Sequence, residues 1–598
     1  MVNDARLRDH PGASRRWIAA CAALCVLPLL TASCGGPGKR AASVLVVTID
    51  TLRPDHLGAY GHPGARTPHL DALARRGLQF TRARTPYPLT LPSHASIFTG
   101  LYPRSHGARR NDSFNLTREA PTLATILKSL GYETGAVVAT FVLNSNFGLA
   151  RGFDRYDDHW GMRGAGSGTL ERRAQEVTDR ALAWHFGIGE RPFLLWAHFF
   201  DPHDDYEPPA PWDAAFPKSP YDGEIAHTDR EFGRLLGTLD ERGALRDAVI
   251  ALTSDHGEAF GEHGEFGHGY FVYETTLRVP MILTGSGTAR LGHEIRSDDA
   301  RTVDLLPTLG DLLGLPLPEE LPGRSLLTTR DSRPLLFETL EPEIAYGATR
   351  LAGLLDDNWK YIQAPVPELY NLDSDPDELR NLHRDTAPRA EEMRARLAET
   401  LARTAPATRG EAVDDETRDK LMALGYIGGD EGTSVTSRRD PKEIVDLIPV
   451  MHRGIELCRT GRMEEGVALL EEILLQDPGN GKALYWVSKS HADRGDFQAA
   501  LTTYRAAIEM DPNVADYYNQ AGLIFARAGE TRNAVRSFRR ALQLDPGLVA
   551  AHLNLATGLA QMGRPAKARE ALDRALSIDP ESDAAKQIAR MLEETGRH

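Results

Sequence analysis

The run Ser43-Val44-Leu45-Val46-Val47-Thr48-Ile49-Asp50 is apolar almost without interruption and ends in a carboxylate. A strand with one wet face alternates in polarity. An unbroken apolar run of this length reads as a parallel strand covered on both faces. Val249-Ile250-Ala251-Leu252-Thr253-Ser254-Asp255, followed by His256-Gly257, repeats the form. Helical stretches such as Pro121 to Leu130 and Leu170 to Leu182 lie between the two runs. Strands alternating with helices predict a doubly wound α/β sheet whose site lies beyond the carboxyl ends of its strands. We assign residues 43–400 to this domain, with a small α+β part at its end.

The C-terminal third has a repeat. Asp-Pro recurs at Asp477-Pro478, Asp511-Pro512, Asp545-Pro546 and Asp579-Pro580, each step being 34 residues. Small residues (Gly466, Ala500, Ala534, Ala568) stand where paired helices must touch, and Leu470, Tyr504, Phe538 and Leu572 follow four positions later. This period and pattern resemble the tetratricopeptide (TPR) repeat. Residues 447–598 are expected to form an all-α solenoid of four repeats plus a cap helix over Glu581 to His598. A concave helical face of this type implies a docked protein or peptide. Residues 404–441, rich in Gly, Thr, Asp and Arg, read as a linker with one helical piece around Asp415 to Leu424.

The first 34 residues read as an export signal. Arg15 and Arg16 precede the apolar stretch Trp17 to Leu30, and Thr31-Ala32-Ser33-Cys34 puts small residues before a cysteine. The pattern resembles a bacterial lipoprotein site, with Cys34 lipidated, although Leu30 stands one position early. Ser14-Arg15-Arg16-Trp17-Ile18 faintly resembles a twin-arginine signal; an uncleaved anchor helix is the competing reading. Exported protein in the bacterial envelope, lipid-anchored on the periplasmic side, is the expectation. Of four cysteines, only Cys458 lies beyond residue 34, so no disulfide framework can form downstream of it. The net charge of -15 argues against a nucleic-acid partner.

The strand-end acids Asp50 and Asp255 would meet at one sheet edge, with His256 beside them. Clustered carboxylates repel unless a cation compensates. Mixed oxygen and imidazole ligands suit Zn²⁺ or Mn²⁺ better than Ca²⁺ or Mg²⁺, which remain open. Between the two acids lies Pro88-Leu89-Thr90-Leu91-Pro92-Ser93-His94, in which Pro92 and Ser93 look like a helix opening that Gly100 ends. Thr90 then sits just ahead of a helix N-terminus, where amides and dipole favour an anion. A plain capping threonine is the bland alternative.

Asp50, the Thr90-x-Pro92-Ser93 turn, Thr99-Gly100, Asp255-His256-Gly257 and Tyr273-Glu274-x-x-x-Arg278-Val279-Pro280 resemble the sulfatase family in order and spacing. Gly152-Phe153-Asp154, Asp201-Pro202-His203, Leu369-Tyr370-Asn371-Leu372 and Asp375-Pro376 extend the likeness over roughly residues 43 to 390. The resemblance implies an alkaline phosphatase superfamily fold and a divalent metal held by Asp50, Thr90, Asp255 and His256. It also implies an ester substrate, such as an envelope glycan or lipid head group. Departures are equally informative. Sulfatases carry Cys or Ser, then x-Pro-x-Arg, the first residue becoming formylglycine. Here those places hold Thr90 and His94, and oxidising threonine at Cβ gives a ketone, so no formylglycine is expected. The family's Gly-Lys-x-His segment is Gly135-Ala136-Val137-Val138, its metal-loop lysine is His268, and its second strand-end acid is Thr51. Thr90-Leu91-Pro92-Ser93-His94 instead resembles the threonine turn of nucleotide pyrophosphatase/phosphodiesterases. The set Asp50, Thr90, Asp255, His256 is similar to the single-metal site of lipoteichoic acid synthase and phosphoethanolamine transferases.

The chemistry these residues imply is nucleophilic attack by Thr90 on a phosphate or sulfate ester. His94, His203 and His268 are candidate catalytic or anion-binding groups. Asp201, His203 and His268 could alternatively hold a second metal. A sulfatase proper, a phosphotransferase and a catalytically silent binding platform are the competing functions.

Overall fold

The computed structural model describes residues 42–404 and 439–592, apart from 112–115, 118–119, 160–170, 286–291, 329–332 and scattered positions near the repeat boundaries (479, 511, 513, 547, 579–584, 586, 591). The export signal with Cys34, the glycine-rich stretch Gly161 to Gly168, the linker helix around Asp415 to Leu424 and about two thirds of the cap segment lie outside the described residues.

Fifteen strands are described: β1 (Ser43–Ile49), β2 (Leu78–Arg84), β3 (Glu133–Val137), β4 (Arg155–Asp157), β5 (Phe193–Phe199), β6 (Ala248–Thr253), β7 (Ala259–Phe260), β8 (Phe266–Gly267), β9 (Arg278–Gly285), β10 (Glu294–Arg296), β11 (Ala300–Arg301), β12 (Leu335–Thr339), β13 (Leu351–Asp356), β14 (Trp359–Gln363) and β15 (Glu368–Asn371). The main sheet runs β10-β2-β9-β6-β1-β5-β3-β4, with β11 also on β2. β1 is central, parallel to both β5 and β6, and all seven of its residues are buried. Its side chains alternate between two cores, as a pleated strand requires. Val44 and Val46 join the helix Thr90–Thr99 and Leu305–Leu313 on one face. Leu45, Val47 and Ile49 join Ala174–Ile188 and Pro220–Glu241 on the other. The expected doubly wound α/β layering is therefore present. The sheet is mixed, however, because β9 runs antiparallel between β6 and β2.

A second sheet, β12-β13-β14-β15, is antiparallel and backed by the helix Ala387–Arg403 through Met393 and Leu397. Glu274 joins the two sheets: its carboxylate meets Arg84 at 2.7 Å and Lys360 at 3.2 Å, and those cations hold it down at about 2 against the opposing effect of burial.

From Leu447 the chain forms eight successive helices to Ile578, each packed on the next. Ala500, Ala534 and Ala568 are fully buried. At Gly466 a Cβ would stand 2.5 Å from the Gly454 carbonyl oxygen, so only glycine allows this approach. The first helix, Leu447–Arg459, belongs to the same apolar cluster as Tyr270, Phe271 and Tyr346, and Tyr270 donates a 2.7 Å hydrogen bond to the Pro441 carbonyl. The array is thus packed directly on the α/β domain. No described helix is long and apolar enough to cross a membrane.

Candidate active site

Asp50 and Asp255 leave the ends of β1 and β6, adjacent parallel strands, so one sheet edge receives both carboxylates. Their ligand atoms and one His256 nitrogen lie within 4.8 Å of one another, all buried. His256 Nε2 is 3.4 Å from Asp255 Oδ2 and 3.7 Å from Asp50 Oδ1. His256 Nδ1 donates to the Gly257 carbonyl at 3.0 Å, which leaves Nε2 facing the acids. Asp50 Oδ1 and Asp255 Oδ2 are buried without a hydrogen-bond partner. Burial raises Asp50 to about 7 and raises Asp255, the latter also feeling Asp50. Burial opposes a charge on His256, but the two carboxylates outweigh it and raise its pKa. Two orphaned carboxylate oxygens aimed at one imidazole nitrogen form a donor set that fits a divalent cation.

Local backbone fixes Asp50. Thr51 adopts φ 52°, unusual for a β-branched residue, and its hydroxyl donates to the Pro202 carbonyl. Tyr221 donates to the Thr51 carbonyl at 2.8 Å, and the Leu52 amide to Ser254 Oγ at 3.0 Å.

Thr90 Oγ1 stands 3.4 Å from His256 Nε2. The helix starts at Thr90 itself, two residues earlier than the proline suggests, with Pro92 still inside its first turn. The expectation that its backbone amides receive the anion changes in detail. The Leu91 amide donates to Asn111 Oδ1 (2.9 Å), Pro92 has none, and the Ser93 amide bonds the Leu89 carbonyl. Asn111 Nδ2 is left buried without a partner beside the Thr90 turn, a donor open to an acceptor.

Residues 42–315 match the Sulfatase family model, and 261–406 match that of the N-sulphoglucosamine sulphohydrolase C-terminal region. The first domain is a sulfatase-family domain. Residues 489–529 and 525–592 match models described as TPR repeat and tetratricopeptide repeat, so a TPR array follows it. The multifunctional alkaline phosphatase superfamily protein PehA of Trinickia caryophylli is 24% identical over 473 residues, 58% of this chain and 92% of that protein. The Delta 4,5-hexuronate-2-O-sulfatase of Bacteroides thetaiotaomicron is 24% identical, over 66% of this chain and 96% of its own. The crystal structure of the phosphonate monoester hydrolase of Agrobacterium radiobacter superposes with a TM-score of 0.52 at 22% identity, covering 61% of this chain and 96% of that one, a likeness of fold. The sulfatase domain is an ester hydrolase of the sulfuric or phosphoric class.

Within the sulfatase domain, His94 takes a different place from the one its sequence position suggests. Its Nδ1 donates to the Thr90 carbonyl (2.8 Å), and its Nε2 accepts from Thr48 Oγ1 (3.0 Å), which in turn accepts from Trp196 Nε1 (2.9 Å). Fully buried, and lowered to about 3 by that burial, it is a neutral imidazole that holds the Thr90 backbone. His203 and His268 do converge on the site: their rings lie 5.2 Å apart, and that of His268 lies 4.2 Å from His256. His203 Nδ1 donates to the Asp204 carbonyl, leaving a buried Nε2 without a partner, and His268 Nδ1 bonds Glu258 at 3.0 Å. Asp201 does not join them as a second-metal ligand, since its carboxylate faces His227 (3.7 Å) and Arg173 (3.9 Å). Sequence reading missed His198, whose Nε2 is 3.3 Å from Asp50 Oδ2, together with Glu258 and Asn111. His198 could have been suspected as a polar residue near the carboxyl end of an otherwise apolar strand.

Proposed function

We propose that the sulfatase domain cleaves phosphate esters, and by the same geometry sulfate esters, with Thr90 Oγ1 as nucleophile in place of the family's formylglycine residue. The observation that carries this reading is the threonine hydroxyl at 3.4 Å from His256 Nε2, at the mouth of two buried acids with orphaned oxygens. A divalent cation held by Asp50, Asp255 and His256, Zn²⁺ or Mn²⁺ by donor type, supplies the charge that makes a neutral hydroxyl reactive near pH 7. The chain's own groups do the rest. Asn111 Nδ2 donates to a non-bridging oxygen of the ester. His94 fixes the Thr90 backbone. As Thr90 attacks, its proton passes to the departing alkoxide; the unprotonated Nε2 of His203 then accepts the proton of the incoming water, and that proton returns to the freed Thr90 oxygen. Water releases the esterified threonine; an acceptor hydroxyl in its place makes the same site a transferase.

The test is an assay of the full chain with Mn²⁺ or Zn²⁺ on aryl phosphodiester, phosphomonoester and sulfate substrates. Thr90→Ala should lower turnover by about 10³-fold or more. Turnover of sulfate alone would move the assignment to a sulfatase proper, which the Bacteroides relative favours. No turnover of any ester would leave a binding platform. Export and lipidation at Cys34 belong to the same proposal. Cys34→Ala should release the protein from the membrane fraction.

A further inference from the structure

The last two TPR repeats carry charge opposite in sign to that of the whole chain. Residues 531–578 hold eight arginines and lysines against three acids, within a protein of net charge -15. Among the described residues none of these eight cations is ion-paired. Arg536 and Arg540 bond only the neutral side chains of Asn533, at 3.1 Å, and Gln543, at 3.3 Å. A local excess of one sign that finds no partner inside the molecule attracts the opposite sign from outside it.

Part of this charge lines a groove of about 710 Å³. Its walls are the second helices of the third and fourth repeats, Thr531–Leu544 and Pro565–Ile578, and its floor is the helix Val549–Gln561 between them. Leu555 and Leu559, one turn apart, make the floor apolar. Arg539 stands on one wall, Lys567 and Arg574 on the other, and all three are exposed. Glu570 and Asp573 share the second wall, so cations lead three to two within the groove. The other five cations stand on or beside the same two wall helices, where the only further acid is Asp545. His552, on the first turn of the floor helix, narrows the kind of anion. Its Nε2 donates to the Pro546 carbonyl at 3.0 Å, so in the neutral ring Nδ1 carries the lone pair, and that atom is buried without a partner. A buried acceptor costs free energy until a donor reaches it. The oxygens of an anionic phosphate or sulfate have no proton to give. An acidic peptide brings both carboxylates and backbone N–H groups.

We propose that this groove docks an extended acidic peptide of a partner protein, one whose carboxylates flank an apolar side chain. The carboxylates meet Arg539, Lys567 and Arg574, the apolar side chain lies on Leu555 and Leu559, and a backbone N–H reaches His552 Nδ1. The inference is independent of the ester chemistry. The groove falls within the usual range of about 300–1,000 Å³ for ligand sites, which suits one short segment rather than a folded surface.

The test is fluorescence anisotropy of two labelled peptides, Asp-Glu-Leu-Asp-Glu and its neutral counterpart Asn-Gln-Leu-Asn-Gln, titrated with the full chain. The acidic peptide should bind at least tenfold more tightly, with a preference that shrinks as salt is added. Arg539→Ser combined with Arg574→Ser should remove about tenfold of that affinity. His552→Phe keeps a ring but no acceptor and should cost about threefold, an effect that salt does not erase. Arg539 and Arg574 are exposed on helix surfaces, so the helical circular dichroism of the double variant should match the wild type. Equal binding of the two peptides, or an acidic preference that survives the double arginine variant, overturns the proposal. Binding of phosphatidylglycerol vesicles with neither peptide bound also overturns it, and assigns the charge to a lipid surface.

Discussion

Asp50→Asn should stabilise the metal-free protein while removing most of its response to metal. The two acids approach within 4.8 Å, and each carries one buried oxygen without a partner. Two full charges at that separation repel by about 3 kcal/mol at an effective dielectric of 20. The His256 imidazole between them offsets part of this, so an apo gain of about 1–3 kcal/mol is expected on neutralising one acid. In the wild type, a cation at a hundred times its dissociation constant should add about 2.7 kcal/mol. In the variant, with one anionic ligand gone, most of that increment should vanish at the same concentration. The assay is thermal melting of EDTA-treated protein across a Mn²⁺ or Zn²⁺ titration, where each kcal/mol is worth on the order of 2 °C for a domain of this size. The wild type should start lower and climb; Asp50→Asn should start higher and stay flat. A variant that melts lower than wild type without metal, yet climbs equally with it, would show that the acids are satisfied by protein contacts and hold no cation.

Three further outcomes follow from packing and charge. His94→Ala opens a cavity and strands Thr48, so it should cost about 2–4 kcal/mol in urea unfolding even with substrate and metal absent. Asp229 accepts from the His69 and Leu70 amides but is raised to about 7 by burial. Its raised folded-state pKa gives stability that is complete below the unfolded value near 4 and lost as pH climbs through 7. Asp229→Asn keeps an acceptor and cannot ionise, so its melting advantage over wild type should grow from pH 4 to pH 8, towards an upper limit of about 4 kcal/mol. Phe538 is 2% exposed and packs where a Cβ on Gly522 would collide with its ring at 2.4 Å. Phe538→Ala should cost the array about 3–5 kcal/mol, read as protease cleavage within 515–578 while ester turnover persists.

What could be read from the sequence was what rests on local periodicity. The runs ending in Asp50 and Asp255 announce themselves because a strand covered on both faces has no polar positions to spare, and the 34-residue step fixes the array. The antiparallel insertion of β9 could not be read, because strand direction depends on which edge remains open after β6. His198 hid inside Phe193–Phe199, where one polar residue looks like an exception rather than a ligand's neighbour. Glu274 lay in a motif that drew attention to chemistry. The structure gives it to Arg84 and Lys360, and a salt bridge shared across two sheets cannot be inferred from either sheet's own sequence.

The largest gap concerns the array, and its cause is chain connectivity. Residues 404–441 separate the sulfatase domain from the first TPR helix, and a linker of that composition suggests a tether to an independent module. Yet Ile444, Ile448, Met451 and Ile455, at helical spacing, bury themselves in the same cluster as Tyr270, Phe271 and Tyr346. His452, beside that stripe, comes within 3.5 Å of Tyr346 Oη. The apolar stripe of the first helix is therefore spent on the sulfatase domain rather than left for a partner. Any partner of the concave face is then left the later repeats, because the near end of the array is packed on the sulfatase domain.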